Sequence, residues 1–233
     1  MAREGFDREL ERLSGEVVGL GREVEDSLKA VARALAGWDA TIAEDRLGSD
    51  ARFKERGAEI AEECMILQAR QAPLARDLRL LNALRATANH LARAGTLSEH
   101  VCRAVVDTAG RERDAELEAV LLRMARGARG LFGRGLDVFE DRDVGRVGDL
   151  EALDDEVDLL YLEAMNLVVA PSAGGGGSPE WRVRAALVAH YLERIADHGV
   201  EIGERTVFLV TGERAAGALR RHHRGHRPER DEG

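Results

Sequence analysis

The chain has 233 residues, with 34 lysines and arginines against 43 aspartates and glutamates, for a formal charge of −9. Hydrophobic residues make up 44% and aromatic residues only 4%, which excludes disorder over most of the length and disfavours a sandwich or barrel built on aromatic strands. The acidic balance argues against binding nucleic acid over the whole surface, and no run approaches the roughly 20 apolar residues of a membrane span.

The opening from Met1 to Arg12 is charged, which does not fit a signal peptide and predicts a cytoplasmic protein. From Asp7 to Ala36, Leu10, Leu13, Val17, Leu20, Val24, Leu28, Val31 and Leu35 recur every three or four residues, the pattern of one helix face. A second helix is predicted from about Ala40 to Ala69. A third runs from Pro73 or Leu74 to about Thr108, with Pro73 in its first turn, where a missing N–H does no harm. Cys64 and Cys102 lie far apart and outside any CxxC pattern, which predicts free, packed thiols.

The fourth helix is predicted from about Asp114 to Phe139, although Gly127, Gly130, Gly133 and Gly135 each weaken it by roughly 1 kcal/mol relative to Ala and make a break possible there. The fifth spans about Asp143 to Val169 on a seam of Leu153, Val157, Leu160, Ala164 and Leu167, and Pro171 ends it. Ser172 to Ser178 reads as a flexible connector. Ser178-Pro179-Glu180 then supplies an N-cap, a first-turn proline and a first-turn acid for a sixth helix, which runs to about Val210 with Gly212 near its C-terminal cap.

Laying one half over the other reveals a repeat. Leu91-Ala92-Arg93 aligns with Leu192-Glu193-Arg194 at a shift of 101 residues, Asp39 aligns with Asp143 at 104, and Pro73 and Pro179 each open the third helix of a half. The predicted fold is all-α, two tandem pseudo-symmetric three-helix bundles over residues 1–109 and 110–213, each about 45 Å long at a rise of about 1.5 Å per residue. Residues 214–233 form a basic tail rich in His and Arg, without hydrophobic period, and are predicted to be disordered.

Two helices carry acids in register. Glu193, Asp197, Glu201 and Glu204 fall on one stripe of the sixth helix beside His190, and Asp154 and Asp158 form an i, i+4 pair on the fifth. Like charges at that spacing repel by a few tenths of a kcal/mol, so they either face water or meet cations. If these helices pack side by side, the carboxylates make an oxygen-rich site for a hard or borderline cation; a solvated acidic face is the alternative.

Tyr191-Leu192-Glu193-Arg194-Ile195-Ala196-Asp197-His198, running on to Thr211-Gly212-Glu213, resembles the signature helix of the PhoU family, regulators of phosphate-specific transport. Gln71-Ala72-Pro73-Leu74-Ala75-Arg76-Asp77-Leu78-Arg79 resembles that family's other hallmark, Asp154-Asp155-Glu156-Val157-Asp158 its acidic stretch, and Phe6-Asp7-Arg8-Glu9-Leu10 its opening. The resemblance spans about residues 1–213. It implies an adaptor without known catalysis that restrains phosphate uptake and phosphate-regulon signalling through a transporter ATPase subunit and a sensor histidine kinase. The expected assembly is a homodimer that meets the membrane only through its partners and binds no nucleic acid.

The resemblance also implies metal binding through acid pairs, matched here by Asp154 with Asp158 and by Glu193 with Asp197. The metal is iron, zinc, manganese or magnesium, with availability deciding among them. The first half departs from this pattern: Asp50 keeps the first acidic position, but Lys54, Ala92 and Thr96 replace the others. One competent metal site is therefore expected, with packed or solvated roles for Glu99 and His100. For Arg93 and Arg194, each one residue beyond a ligand position of the resemblance, anion or partner contact stands beside the commoner use of an arginine to bridge neighbouring acids, which is the reading preferred; Arg76, Asp77 and Arg79 are likewise read as structural. The alternative functions are a carboxylate-bridged di-metal enzyme and a metal-binding scaffold. The enzyme needs Glu-x-x-His ligand pairs, which the sequence does not contain, and neither a phosphate-binding glycine loop nor a catalytic triad is indicated.

Overall fold

The computed structural model describes residues 2–71, 73–170 and 176–213, and among these it is helical without strands. Helix α1, Ala2–Leu35, buries the whole predicted row from Leu10 to Leu35. The chain then turns at Trp38, whose φ of 52° lies in the left-handed region that a bulky side chain seldom adopts. Burial of the indole against Trp181 and its 2.9 Å hydrogen bond to Thr108 hold it there.

The predicted second helix is two helices. Asp39 caps a short α2, Ala40–Glu44, by accepting from the Thr41 and Ile42 N–H groups. After Gly48 at φ 88°, the chain restarts as α3, Ser49–Gln71. The predicted fifth helix is interrupted in the corresponding place. Arg142 takes φ 55°, Asp143 caps a 3-10 turn, Val144–Arg146, and only then does α6, Gly148–Val169, begin. Trp38-Asp39 and Arg142-Asp143 are thus the same device in the two halves, a left-handed residue followed by a capping aspartate.

Helix α4, Ala75–Asp107, follows Leu74 at its N-cap, so Pro73 sits just outside the helix and not in its first turn. Helix α5, Ala115–Asp141, is capped by Asp114 and continues unbroken through its glycines. The reason is packing: a Cβ on Gly135 would lie 2.0 Å from the Gly199 carbonyl oxygen, and one on Gly199 would lie 2.7 Å from the Phe132 Cα. These glycines let two backbones touch, and the buried area gained offsets their poor propensity. Helix α7, Pro179–Thr211, begins as predicted, with the Ser178 hydroxyl accepting from the Trp181 N–H, and ends at Gly212, φ 77°.

Helices α1, α3 and α4 form one bundle and α5, α6 and α7 the other, joined where α4 packs on α7 and α1 on α5. One continuous apolar core runs through both. Cys64 and Cys102 are buried free thiols, and burial pushes them up to about 11 and about 12. No helix among the described residues is long and apolar enough to cross a membrane. Pro171, most of the glycine-rich connector and the tail from residue 214 lie outside the described residues.

Candidate metal centre

Helix α6 packs against both α5 and α7, with Leu150, Val157 and Ala164 buried. Gly203 permits the close approach, since a Cβ there would meet Leu150 Cδ1 at 2.2 Å. This seam sets Asp154 and Asp158 on α6 along the same side as Glu193 and Asp197 on α7. Asp154, Glu193 and Asp197 are half-buried, and Asp158 is exposed.

The four carboxylates feel one another across the two helices. Burial pushes Asp154 up to about 6, and the charges of Asp158 and Asp197 add to it. Glu193 is raised by burial and then by Asp197, with His190 and Arg194 opposing. Asp197 is raised by burial, with Arg194 opposing and Asp158 and Glu201 reinforcing. Glu204, which the ligand assignment from sequence left out, is raised by burial and by Glu201, and its charge also reaches Asp154. Its signal in the sequence was its place on the same acidic stripe.

Counter-charge inside the protein is thin here. Arg194 Nη1 stands 3.4 Å from Asp197 Oδ2. His190 Nδ1 is 3.5 Å from Glu193 Oε2 without a hydrogen bond, which leaves that oxygen buried and unpartnered. Half-buried acids with raised protonation and an orphaned oxygen form a donor set that suits a hard or borderline cation. Among the described residues no three His, Cys, Asp or Glu side chains are already gathered closely enough to hold an ion. Uncompensated carboxylates repel one another, and closing on an ion requires their side chains to turn.

The first half has solved the same electrostatic problem internally. Lys54 Nζ lies 2.6 Å from Asp50 Oδ2, and this hydrogen-bonded ammonium holds Asp50 below its ordinary range. Ala92 packs against Gly57, where a Cβ would come within 2.8 Å, and the Thr96 hydroxyl donates back to the Ala92 carbonyl at 3.0 Å. Glu99 is buried and accepts from the Asp50 N–H at 2.8 Å, tying α4 to the start of α3. His100 meets the Tyr191 ring in an inclined contact, centroids 5.3 Å apart at 54°. Arg79 Nε donates to the Leu209 carbonyl at 3.4 Å, and Asp77 accepts from Arg3 at 2.8 Å, in keeping with structural roles.

One pairing had no local signal in the sequence. His90 on α4 and His198 on α7 meet with their Nδ1 atoms 3.3 Å apart at the junction of the two bundles. Burial depresses both, His198 to about 4 with the help of His90, so neutral imidazoles share one proton between facing nitrogens.

The chain is similar to known proteins over most of its length. A family model described as the PhoU domain matches residues 17–105 and 121–206. An uncharacterised protein of Deinococcus radiodurans is 30% identical over 217 residues, covering 89% of this chain and 92% of its own. A phosphate-specific transport system accessory protein PhoU homolog of Rhizobium meliloti is 25% identical over 213 residues, covering 91% and 90%. The crystal structure of PhoU from Pseudomonas aeruginosa has a TM-score of 0.80 at 25% identity, covering 89% of this chain and all, 100%, of that one. The phosphate transport system regulatory protein PhoU from Streptococcus pneumoniae shares the fold, with a TM-score of 0.80 at 24% identity over 89% of this chain and 98% of that one.

Proposed function

The chain belongs to the PhoU domain family, and from that premise we propose that it is a non-catalytic accessory protein of phosphate-specific transport, a cytoplasmic homodimer that restrains uptake and phosphate-regulon signalling. The observation that carries this reading is the family match in both halves of the chain. Its helical surfaces contact the transporter's ATPase subunit and a membrane sensor histidine kinase. Deleting the gene should derepress phosphate-scavenging genes during phosphate-rich growth, and tagged protein should retain the ATPase subunit and the kinase in pull-downs. Unchanged expression in the deletion strain, or no association with either partner at any phosphate level, overturns the reading.

In this proposal Asp154, Asp158, Glu193 and Asp197 hold iron, zinc, manganese or magnesium. A bound cation supplies there the positive charge that Lys54 supplies in the first half. Glu193 contributes its orphaned oxygen, Arg194 steadies Asp197, and the acids of α6 and α7 are drawn into one unit, which fixes the relation of the two helices. The di-metal enzyme is the rival reading. Oxidase activity of iron-loaded protein would displace the adaptor role.

A further inference from the structure

The place in the first bundle that matches the acidic face of the second is an open groove of ≈ 660 Å³, lined by Lys54, Gly57, Ala58, Asn89, Ala92, Arg93 and Thr96. Five of these are the repeat counterparts of Asp158, His190, Glu193, Arg194 and Asp197: Lys54, Asn89, Ala92, Arg93 and Thr96 respectively. The repeat has kept the location and reversed its charge. No carboxylate lines the groove, and small side chains leave its floor open.

From this reversal we propose that the groove between α3 and α4 is an anion site that takes a phosphoryl group, inorganic phosphate in the first instance. Lys54 has three N–H donors, of which Asp50 engages one at 2.6 Å. Arg93 is exposed and, among the described residues, makes no ion pair, so its planar fork is available to an oxyanion. The Asn89 amide adds N–H donors, and the Thr96 hydroxyl adds another once released from the Ala92 carbonyl. The two cations that line the groove, Lys54 and Arg93, outnumber the one carboxylate paired with them, Asp50, within a chain whose overall charge is −9. A chain that is acidic overall has local attraction for phosphate where such cations converge. The choice of phosphate among anions rests on the function proposed above; the site itself rests on the groove.

Full-length protein, freed of metal and phosphate and held in chloride buffer, is titrated with inorganic phosphate and, separately, with ATP. Binding is followed by calorimetry and by amide chemical shifts. Saturable binding with shifts confined to residues 54–58 and 89–96 is expected. Lys54→Gln with Arg93→Gln weakens it by about tenfold or more, whereas Arg126→Gln, an exposed cation on α5, leaves it unchanged. ATP binding without phosphate binding supports the groove and assigns it to a phosphoryl group carried on a nucleotide. No saturable binding of either probe, shifts elsewhere, or equal loss in Arg126→Gln overturns the proposal. Circular dichroism checks that the double variant keeps its helicity, and the shift map on the parent protein decides the matter if it does not. Failure here while the deletion strain still derepresses scavenging genes removes the anion site and leaves the adaptor reading standing.

Discussion

Glu99 holds a carboxylate in the first bundle with almost no access to water, and its neighbours account for it. Burial alone would raise its pKa. The backbone N–H groups of Asp50 and Gly48 and the Arg103 guanidinium, 3.0 Å away, outweigh burial and hold it below the ordinary value of 4.5. A carboxyl depressed in the folded state contributes stability that is complete above its unfolded value and is lost as the pH falls through the folded one. Glu99→Gln should therefore destabilise the protein by about 1–3 kcal/mol at neutral pH, read from urea unfolding, and the gap to the parent should narrow below pH 4.5. In the second bundle, Asp158→Asn with Asp197→Asn should abolish tight metal binding by elemental analysis with little change in helicity, because neither side chain builds the apolar seam. Equal metal content in variant and parent would exclude those ligands. The acid pairs were legible because i, i+4 spacing declares a shared helix face. The His90–His198 contact was not, because its partners lie 108 residues apart and only tertiary packing joins them.

At the scale of elements, periodicity located every long helix, and capping chemistry placed the start of α7. Reading α2 and α3 as one helix came from following apolar spacing across residues 45–48, where no proline marks the break. Asp39 and Gly48 were the available signals, and Asp143 offered the same cue before α6. The glycines of α5 misled in the opposite direction, since propensity counts their cost and cannot see the helix they admit. Gly135→Ala should lower stability by about 1–3 kcal/mol by forcing α5 from α7. Gly130→Ala, with nothing within 4 Å of the new methyl, should raise it by about 0.5–1 kcal/mol. Thermal melts of the two single variants check both signs, and destabilisation by Gly130→Ala would mean that the helix tolerates no added side chain on its open face.

Across the whole molecule, the halves share a core and meet along α4–α7 and α1–α5, so they should unfold together. One calorimetric transition, with calorimetric and van't Hoff enthalpies agreeing, is expected for the metal-free chain; two resolved transitions would show that each bundle stands alone. The repeat also makes an engineering test possible. Lys54→Asp, Ala92→Glu and Thr96→Asp together restore the acids that the first bundle lacks, and metal content should about double if these positions suffice for a site. That two-bundle plan could be read from the sequence because the halves keep their spacing where identities have drifted. The contact across the bundles could not. There, Trp38 from the first half and Trp181 at the start of α7 hold their rings 5.3 Å apart at 58°. Two indoles so close and so inclined couple their electronic transitions, giving a split ultraviolet dichroism band that neither ring produces alone. The chain, with no other tryptophan, thus carries an intrinsic optical gauge of whether its two bundles are docked.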